Sequence, residues 1–88
     1  MSILKVSIRQ LKAARTLIGW PQEKLASAAR VSLPTIKRLE AGEGLLGGRE
    51  STAQKIRSAL EKAGIEFIDE NGGGAGVRLR EPGKPPKI

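Results

Sequence analysis

The sequence contains no cysteine, no histidine and no tyrosine, and Asp69 is its only aspartate. Without cysteine there is neither a disulfide framework nor a thiolate metal site. Histidine is the most frequent general base and a common metal ligand, so its absence removes most of the usual catalytic and metal-binding arrangements. We therefore expect a protein that is not an enzyme and that uses no metal or other cofactor.

Aromatic residues and long apolar runs are also scarce. Trp20 and Phe67 are the only aromatic residues, which argues against proteins that stack single-stranded bases on several rings. No apolar run is long enough to predict a membrane span. The opening residues, MSILKVSIRQ, lack the apolar stretch and cleavage site of a secretory leader. Together with the lack of cysteine, these features predict a cytoplasmic location without membrane contact.

Positive charge, by contrast, is abundant. The 88 residues include 16 lysines and arginines against nine acidic residues, which gives a formal net charge of +7. A surplus of this size favours polyanionic partners such as DNA, RNA or an anionic membrane surface. The length suits a single small domain with a modest core.

The first predicted helix covers residues 7–18. Apolar residues recur along it at helical spacing, at Ile8, Leu11, Ala14 and Leu17 or Ile18. Ser7 and Gln10 match the capping box that often starts a helix. The opposite face carries Arg9, Lys12 and Arg15. We interpret these three residues mainly as a solvated face, with phosphate contact as the alternative.

Two short helices joined by a tight turn are predicted over residues 22–29 and 33–41. Pro21 precedes the first of them, and proline is tolerated at a helix start because its missing N–H would have no partner there. In the second, Ser32 is the predicted N-cap. This places Pro34 in the first turn, where a proline removes no intrahelical hydrogen bond.

A fourth helix and a β-hairpin complete the predicted architecture. Ser51 and Gln54 repeat the capping-box pattern, so we predict that the fourth helix starts at Ser51. The runs at 65–69 and 76–80 alternate in polarity and are separated by glycine-rich turn residues, which is typical of an antiparallel hairpin. Its apolar side chains would face the helices. On its exposed side we expect Glu66 to pair with Arg78 or Arg80.

The stretch QEKLASAARVSLPTIKRLEAGEG resembles the helix-turn-helix domains of the XRE, or phage-repressor-like, family. Gln22 opens its first helix, Ala26 lies where the two helices cross, and Ile36 and Leu39 anchor the second helix. The resemblance covers residues 7–60 well. It implies a mainly α, lambda-repressor-like domain of about four helices, here followed by the C-terminal β-hairpin.

The resemblance and the local patterns together predict a division of the chain into three parts. Residues 1–64 would form the helix-turn-helix domain, with the motif itself at about 22–41. Residues 65–80 would form a hairpin packed against that domain. Residues 81–88 are rich in proline, and we expect this tail to be disordered.

The same resemblance implies which residues contact DNA, because the N-terminal part of the second helix of such a motif enters the major groove. The predicted base contacts are Leu33, Pro34, Thr35, Lys37 and Arg38. The predicted phosphate contacts are Gln22, Lys24, Arg30, Ser32 and Arg49. For Lys37 and Arg38 an ordinary solvated face is the alternative interpretation.

Arg30 departs from the family pattern, because many members have glycine or another residue tolerant of left-handed geometry at this position. A left-handed arginine costs about 1 kcal/mol. Two explanations remain open at this point: the turn differs slightly, or the cost is accepted in exchange for a phosphate contact.

Charge, motif and resemblance together predict a sequence-specific transcriptional regulator, a repressor or autoregulator of prokaryotic or phage-like type. One such domain reads few base pairs, so we expect a homodimer on a palindromic operator, with half-sites about 34 Å apart. The hairpin edge and the fourth helix are the expected dimer surface, since a two-stranded sheet leaves unpaired edges. The expected location is cytoplasmic and nucleoid-associated.

The alternative function is a protein-interaction module, similar to an antiactivator or antitoxin, that sequesters a partner regulator with or without binding DNA. Its partner surface would use Leu45, Leu46, Phe67 and Ile68. A binder of structured RNA is disfavoured by the resemblance and by the lack of aromatic residues.

Overall fold

The protein is described by a computed structural model covering residues 6–46, 50–70 and 72–81. The elements, in chain order, are α1 (Ile8–Leu17), α2 (Gln22–Ala29), α3 (Leu33–Glu40), α4 (Glu50–Lys62), β1 (Ile65–Ile68) and β2 (Gly76–Leu79). The predicted mainly α architecture with a C-terminal hairpin is therefore confirmed. The predictions for Arg49 and for the tail after Glu81 lie outside the described residues.

Two of the predicted helix starts are confirmed in atomic detail. At α1, Gln10 N donates to Ser7 Oγ at 3.0 Å and Ser7 N donates to Gln10 Oε1 at 2.9 Å, which completes the capping box. At α3, Thr35 N donates to Ser32 Oγ at 3.3 Å. Pro34 lies in the first turn of α3, so it helps to set the start of the helix rather than breaking it.

The predicted start of α4 at Ser51 is wrong. The helix begins at Glu50, so Ser51 is already helical and is not the N-cap. The pattern of Ser51 and Gln54 therefore fits a capping box in the sequence without forming one in the structure.

The turn between α2 and α3 answers the question raised by Arg30. Its backbone is left-handed, with φ 57° and ψ 45°. Arg30 N donates to Ser27 O at 3.3 Å and Val31 N donates to Ala26 O at 3.0 Å. These two bonds are the pair that closes a helix in a Schellman motif. The turn thus keeps its usual geometry, and the chain accepts the strain of a left-handed arginine.

The core lies among the four helices and one face of the hairpin. Its most deeply buried large side chains are Leu11, Leu25, Ile36, Ile56, Leu60 and Ile65. The helix-turn-helix pair is held in this core by α2, which packs against both α3 and α4. Among the described residues, no helix is long and apolar enough to cross a membrane.

The hairpin is antiparallel, with Ile65 opposite Leu79 and Phe67 opposite Val77. Each strand is one residue shorter than predicted at its C-terminal end. Phe67 is only 7% exposed and belongs to the core. This burial corrects the expectation that Phe67 takes part in a partner surface: its side chain faces the helices, where a docking protein would not reach it.

Gln10 ties the hairpin to α1. It is 5% exposed, and its Nε2 donates to Ile68 O at 3.2 Å and to Gly76 O at 3.0 Å. Ile68 and Gly76 face each other across the hairpin. The residue that completes the α1 capping box through its oxygen therefore also holds both strands through its nitrogen, so the hairpin is anchored by a buried polar contact.

Candidate nucleic-acid interface

One face of α3 is exposed, and it carries most of the predicted base contacts. Pro34, Lys37, Arg38 and the following Ala41 recur at helical spacing and are all exposed. The opposite face, with Ile36, Leu39 and Glu40, is buried. The helix is therefore strongly amphipathic, and Lys37 and Arg38 both project from its solvent-exposed face.

The two remaining predicted base contacts are less accessible. Leu33 is half-buried and packs against the core. Thr35 is also half-buried, and its hydroxyl lies 2.8 Å from that of Ser32. Leu33 is therefore partly engaged in packing, whereas the two adjacent hydroxyls form a small polar group at the start of α3.

A buried carboxylate fixes α3 against the rest of the domain. Glu40, 4% exposed, accepts from Arg15 Nε at 2.8 Å and from Arg15 Nη2 at 2.9 Å. It also accepts from Gln22 Nε2 at 3.0 Å. One carboxylate thus joins α1, α2 and α3, and we refer to Arg15, Gln22 and Glu40 as the α3 clamp. Bidentate arginine–carboxylate geometry is among the most directional polar contacts in proteins.

The electrostatics of the α3 clamp favour the ionised carboxylate. Burial by itself raises the pKa of Glu40, but the hydrogen bonds from Arg15 and Gln22 and the charges of Arg15 and Lys12 outweigh it, so that the pKa lies below its ordinary value of 4.5. A charge this deeply buried needs such partners. The carboxylate is therefore ionised at neutral pH, with all three of its hydrogen bonds made to donors on neighbouring helices.

This arrangement corrects the interpretation of Arg15 as part of a solvated face. Its guanidinium binds Glu40, and Arg15 Nη1 also donates to Trp20 O at 2.8 Å. Arg15 therefore holds the connection between α1 and α2 as well as the end of α3. Arg9 and Lys12, on the same side of α1, are exposed as expected.

Four of the five predicted phosphate contacts are among the described residues, and they lie at the two ends of α2 and at the start of α3. At the beginning of α2, Gln22 is half-buried and one of its amide N–H groups is used by Glu40. Lys24 is exposed, with its Nζ 5.7 Å from the centre of the Trp20 ring. At the other end, Arg30 and Ser32 are both exposed.

The remaining predicted partner residues differ in how far they reach the surface. Leu45 is 57% exposed, whereas Leu46 is half-buried and packs against the core. Ile68 is half-buried on the hairpin. The loop that carries the two leucines is held close to the start of α1, since Leu46 N donates to Val6 O at 2.7 Å. Leu45 alone among these leucines is presented to solvent.

Comparison with known protein families agrees with this geometry. The chain matches a family model described as helix-turn-helix over residues 11–63, which is more than half of its length. The protein belongs to this XRE, or lambda-repressor-like, helix-turn-helix family. Members of the family are DNA-binding regulators rather than enzymes. A comparison with curated proteins found no match. The matched span contains the whole α3 clamp and the exposed face of α3, whereas β1 and β2 lie beyond it.

The sequence interpretation of this helix-turn-helix protein missed the Arg15–Glu40 pair of the α3 clamp, although one signal pointed to it. Glu40 follows Leu39 and lies one turn after Ile36, so the helical period places a carboxylate beside two core residues. A buried carboxylate requires a partner. The period does not say which cation supplies it, because Arg15 is 25 residues away along the chain.

Proposed function

We propose that this helix-turn-helix protein is a sequence-specific transcriptional regulator that reads the major groove with α3. The main observation in support of the proposal is that α3 is amphipathic. Its inner face is locked by packing and by the α3 clamp, and its outer face presents Lys37 and Arg38 next to Pro34. A recognition helix needs both properties, because a contact to a base edge depends on a helix that does not shift.

The proposed roles follow from the chemistry of each side chain. Arg38 and Lys37 donate to O6 and N7 of guanine, and Thr35 and the edge of Pro34 contact thymine methyl groups. Leu33, being half-buried, contributes its exposed edge to the same apolar contact.

Phosphate contacts fix the register of such a complex on the duplex. The proposed phosphate contacts are Gln22, Lys24, Arg30, Ser32 and Arg49. The proposal for Arg49 rests on its cationic side chain and its position in the sequence alone.

We further propose that the protein acts as a repressor or autoregulator and binds a palindromic operator as a homodimer. The hairpin edge and α4 are the proposed dimer surface. Lys55 and Lys62 lie on an exposed face of α4, and a two-fold axis through this face would bring like charges together. This consideration favours the hairpin edge over that face of α4.

The experiment that tests sequence-specific binding starts from duplexes selected in vitro by the wild-type protein. Lys37→Ala and Arg38→Ala are each expected to weaken binding to the selected duplex by about 1–3 kcal/mol and to relax the base preference at one position. The measurement is fluorescence anisotropy across a salt series. Arg78→Ala is the matched control, since it removes an exposed arginine outside α3. Size-exclusion chromatography checks that this control keeps the wild-type oligomeric state, because Arg78 lies on the hairpin proposed as the dimer surface. Weak binding by wild type without base preference at any salt concentration would contradict the proposal.

A second function, the binding of a protein partner, is favoured by the exposure of Leu45. A large apolar side chain at the surface is compatible with a docking role. Under this function, Leu45→Ser would abolish a stoichiometric complex that Arg38→Ala leaves intact. If no complex depends on Leu45, its exposure is an ordinary surface feature.

A further inference from the structure

A cationic groove runs between the C-terminal end of α2 and an exposed face of α4. The charged and polar residues that line it are Arg30, Ser51, Gln54, Lys55, Ser58 and Lys62. No acidic residue is among its described lining residues. Hydroxyl, amide and cationic side chains are the donors that proteins use for phosphate oxygens. The groove therefore combines positive charge with neutral hydrogen-bond donors, which suits an extended polyanion.

No described side chain forms an ion pair with the cations of this groove. Within the described residues, the ion pairs are formed by Arg15, Arg57 and Arg78, and none involves Arg30, Lys55 or Lys62. Lys55 and Lys62 are seven residues apart, so they lie on one side of α4 about 10.5 Å from each other along the helix axis. The same helix places its paired arginine, Arg57, with Glu61, outside the groove.

The length of α2 determines where this groove would lie on a duplex. The helix has eight residues, which corresponds to about 12 Å at 1.5 Å per residue. The major groove of B-DNA is also about 12 Å wide. If Gln22, at the start of α2, meets the phosphates on one rim of the major groove, then Arg30, at its other end, lies near the opposite rim. Arg30 is also two residues before the N-cap of α3.

We propose that the groove between α2 and α4 holds the phosphate backbone of the DNA strand across the major groove from Gln22. Lys55 and Lys62 are the new phosphate-contacting residues, and Arg30 marks the end of the groove nearest to α3. This inference rests on the proposed function, because it requires α3 to lie in the major groove. It also explains why an arginine occupies the left-handed position of the turn: its charge extends the groove towards the duplex.

The test is the salt dependence of binding to a duplex of arbitrary sequence and about 30 base pairs, roughly three helical turns. The groove variant is Lys55→Gln/Lys62→Gln. The matched control is Arg57→Gln/Arg78→Gln, which removes the same amount of charge from residues outside the groove. Because Arg78 lies on the hairpin proposed as the dimer surface, size-exclusion chromatography checks that this control keeps the wild-type oligomeric state. The slope of log K against log salt concentration is negative, and each lost phosphate contact makes it less steep by about 0.9. We expect the groove variant to lose between one and two such increments and the control to keep the wild-type slope.

Circular dichroism and thermal melting show first that both variants are folded, as expected since Lys55, Lys62 and Arg78 are exposed and Arg57 is half-buried. Equal slopes for the groove variant and wild type would overturn the inference while leaving the proposed function standing. Equal losses in the groove variant and the control would also overturn it, since they would show only a general effect of net charge. If wild type itself does not bind the duplex, the proposed function fails, and the inference fails with it.

A second arm of the experiment uses a synthetic glutamate-rich peptide in place of DNA. If the groove variant loses binding to this peptide but keeps the wild-type DNA slope, the groove serves an acidic protein segment, and the inference is overturned. If the peptide binds all three proteins equally while the DNA slope falls only in the groove variant, the assignment to the DNA backbone is supported.

Discussion

Two glutamate–arginine pairs in this protein have similar chemistry and opposite surroundings. Glu40 and Arg15 lie in the interior beside α3, with side-chain exposures of 4% and 20%, whereas Glu66 and Arg78 face solvent on the hairpin at 44% and 64%. In both pairs the pKa of the glutamate lies below its ordinary value. For Glu66 the cause is the hydrogen bond and the charge of Arg78; for Glu40 the partners must first overcome the effect of burial.

The difference shows that a lowered pKa alone does not identify an important contact. Exposed pairs are screened by water and lose side-chain entropy, so they contribute little to stability. A buried pair is different, because removing one partner leaves the other charge without compensation in the interior. The buried pair also has a third member, Gln22, and joins three helices. We therefore expect the first pair to decide the orientation of α3 and the second to be dispensable.

The largest expected effect comes from Glu40→Ala, which breaks the α3 clamp. It leaves the Arg15 guanidinium partly buried without its carboxylate, and we expect the free energy of unfolding to fall by about 3 kcal/mol. Chemical denaturation at neutral pH measures this loss. Glu66→Ala is the matched control, expected to leave the denaturation midpoint close to that of wild type. Similar losses in both variants would refute the distinction between the two pairs.

The next largest effect concerns the contacts that hold the hairpin against α1, because the exposed ion pair of the hairpin is expected to contribute little. Gln10→Ala removes three hydrogen bonds and leaves the Ile68 and Gly76 carbonyls without this donor. We expect a loss of about 2 kcal/mol, together with faster amide hydrogen exchange in both strands. Gln54→Ala, which changes an exposed glutamine on α4, is the control. A Gln10 variant as stable as the Gln54 variant would show that the apolar face alone anchors the hairpin.

A smaller change in the free energy of unfolding, of opposite sign, is expected at Arg30, whose backbone is strained. Arg30→Gly should stabilise the fold by about 1 kcal/mol, because glycine accepts the left-handed geometry without the steric cost. Arg30→Ala removes the same charge but retains a Cβ, so it should bring no comparable gain. Thermal melting of the two variants separates these effects. An equal gain from alanine would mean that charge, not backbone strain, limits stability at this turn.

The smallest expected effect is a change of stability with pH. Because the pKa of Glu40 is lower in the folded protein than its ordinary 4.5, its stabilising contribution is complete above that value and is lost as the pH falls through the folded pKa. The difference in melting temperature between wild type and Glu40→Gln should therefore shrink on acidification. The difference in melting temperature between wild type and Glu66→Gln should change less with pH, since the Glu66–Arg78 pair is exposed. A Glu40→Gln difference that stays constant down to about pH 3 would exclude this linkage.

The parts of the fold that sequence reasoning predicted are those encoded locally. The capping box of Ser7 and Gln10 and the cap at Ser32 involve residues three apart, so their geometry follows once a helix begins there. The hairpin was equally local, with two short alternating runs around a glycine-rich turn. The error at Ser51 came from the same kind of pattern, because a capping-box spacing also occurs inside a helix.

The parts that sequence reasoning missed depend on residues distant in the chain. The sequence predicts that Arg15 is one of three solvated cations, whereas the packing of α1 against α3 places it beside Glu40. Gln10 was recognised as a cap, but its contacts with Ile68 and Gly76 join residues about sixty positions apart. For Phe67 the expectation that the apolar side chains of the hairpin face the helices is confirmed, whereas its assignment to a partner surface is wrong because the side chain is buried.

The sequence alone determined that this chain is basic, mainly helical and built around a helix-turn-helix motif, because charge, helical period and capping are local or additive properties. It also determined which side of α3 carries Lys37 and Arg38. The tertiary structure decided which charges are neutralised and which remain free. In the tertiary structure Arg15 pairs with Glu40, whereas Arg30, Lys55 and Lys62 have no ion-pair partner among the described residues. The physical reason is that an ion pair requires two side chains within a few ångströms of each other, and only the packing of helices brings distant residues that close.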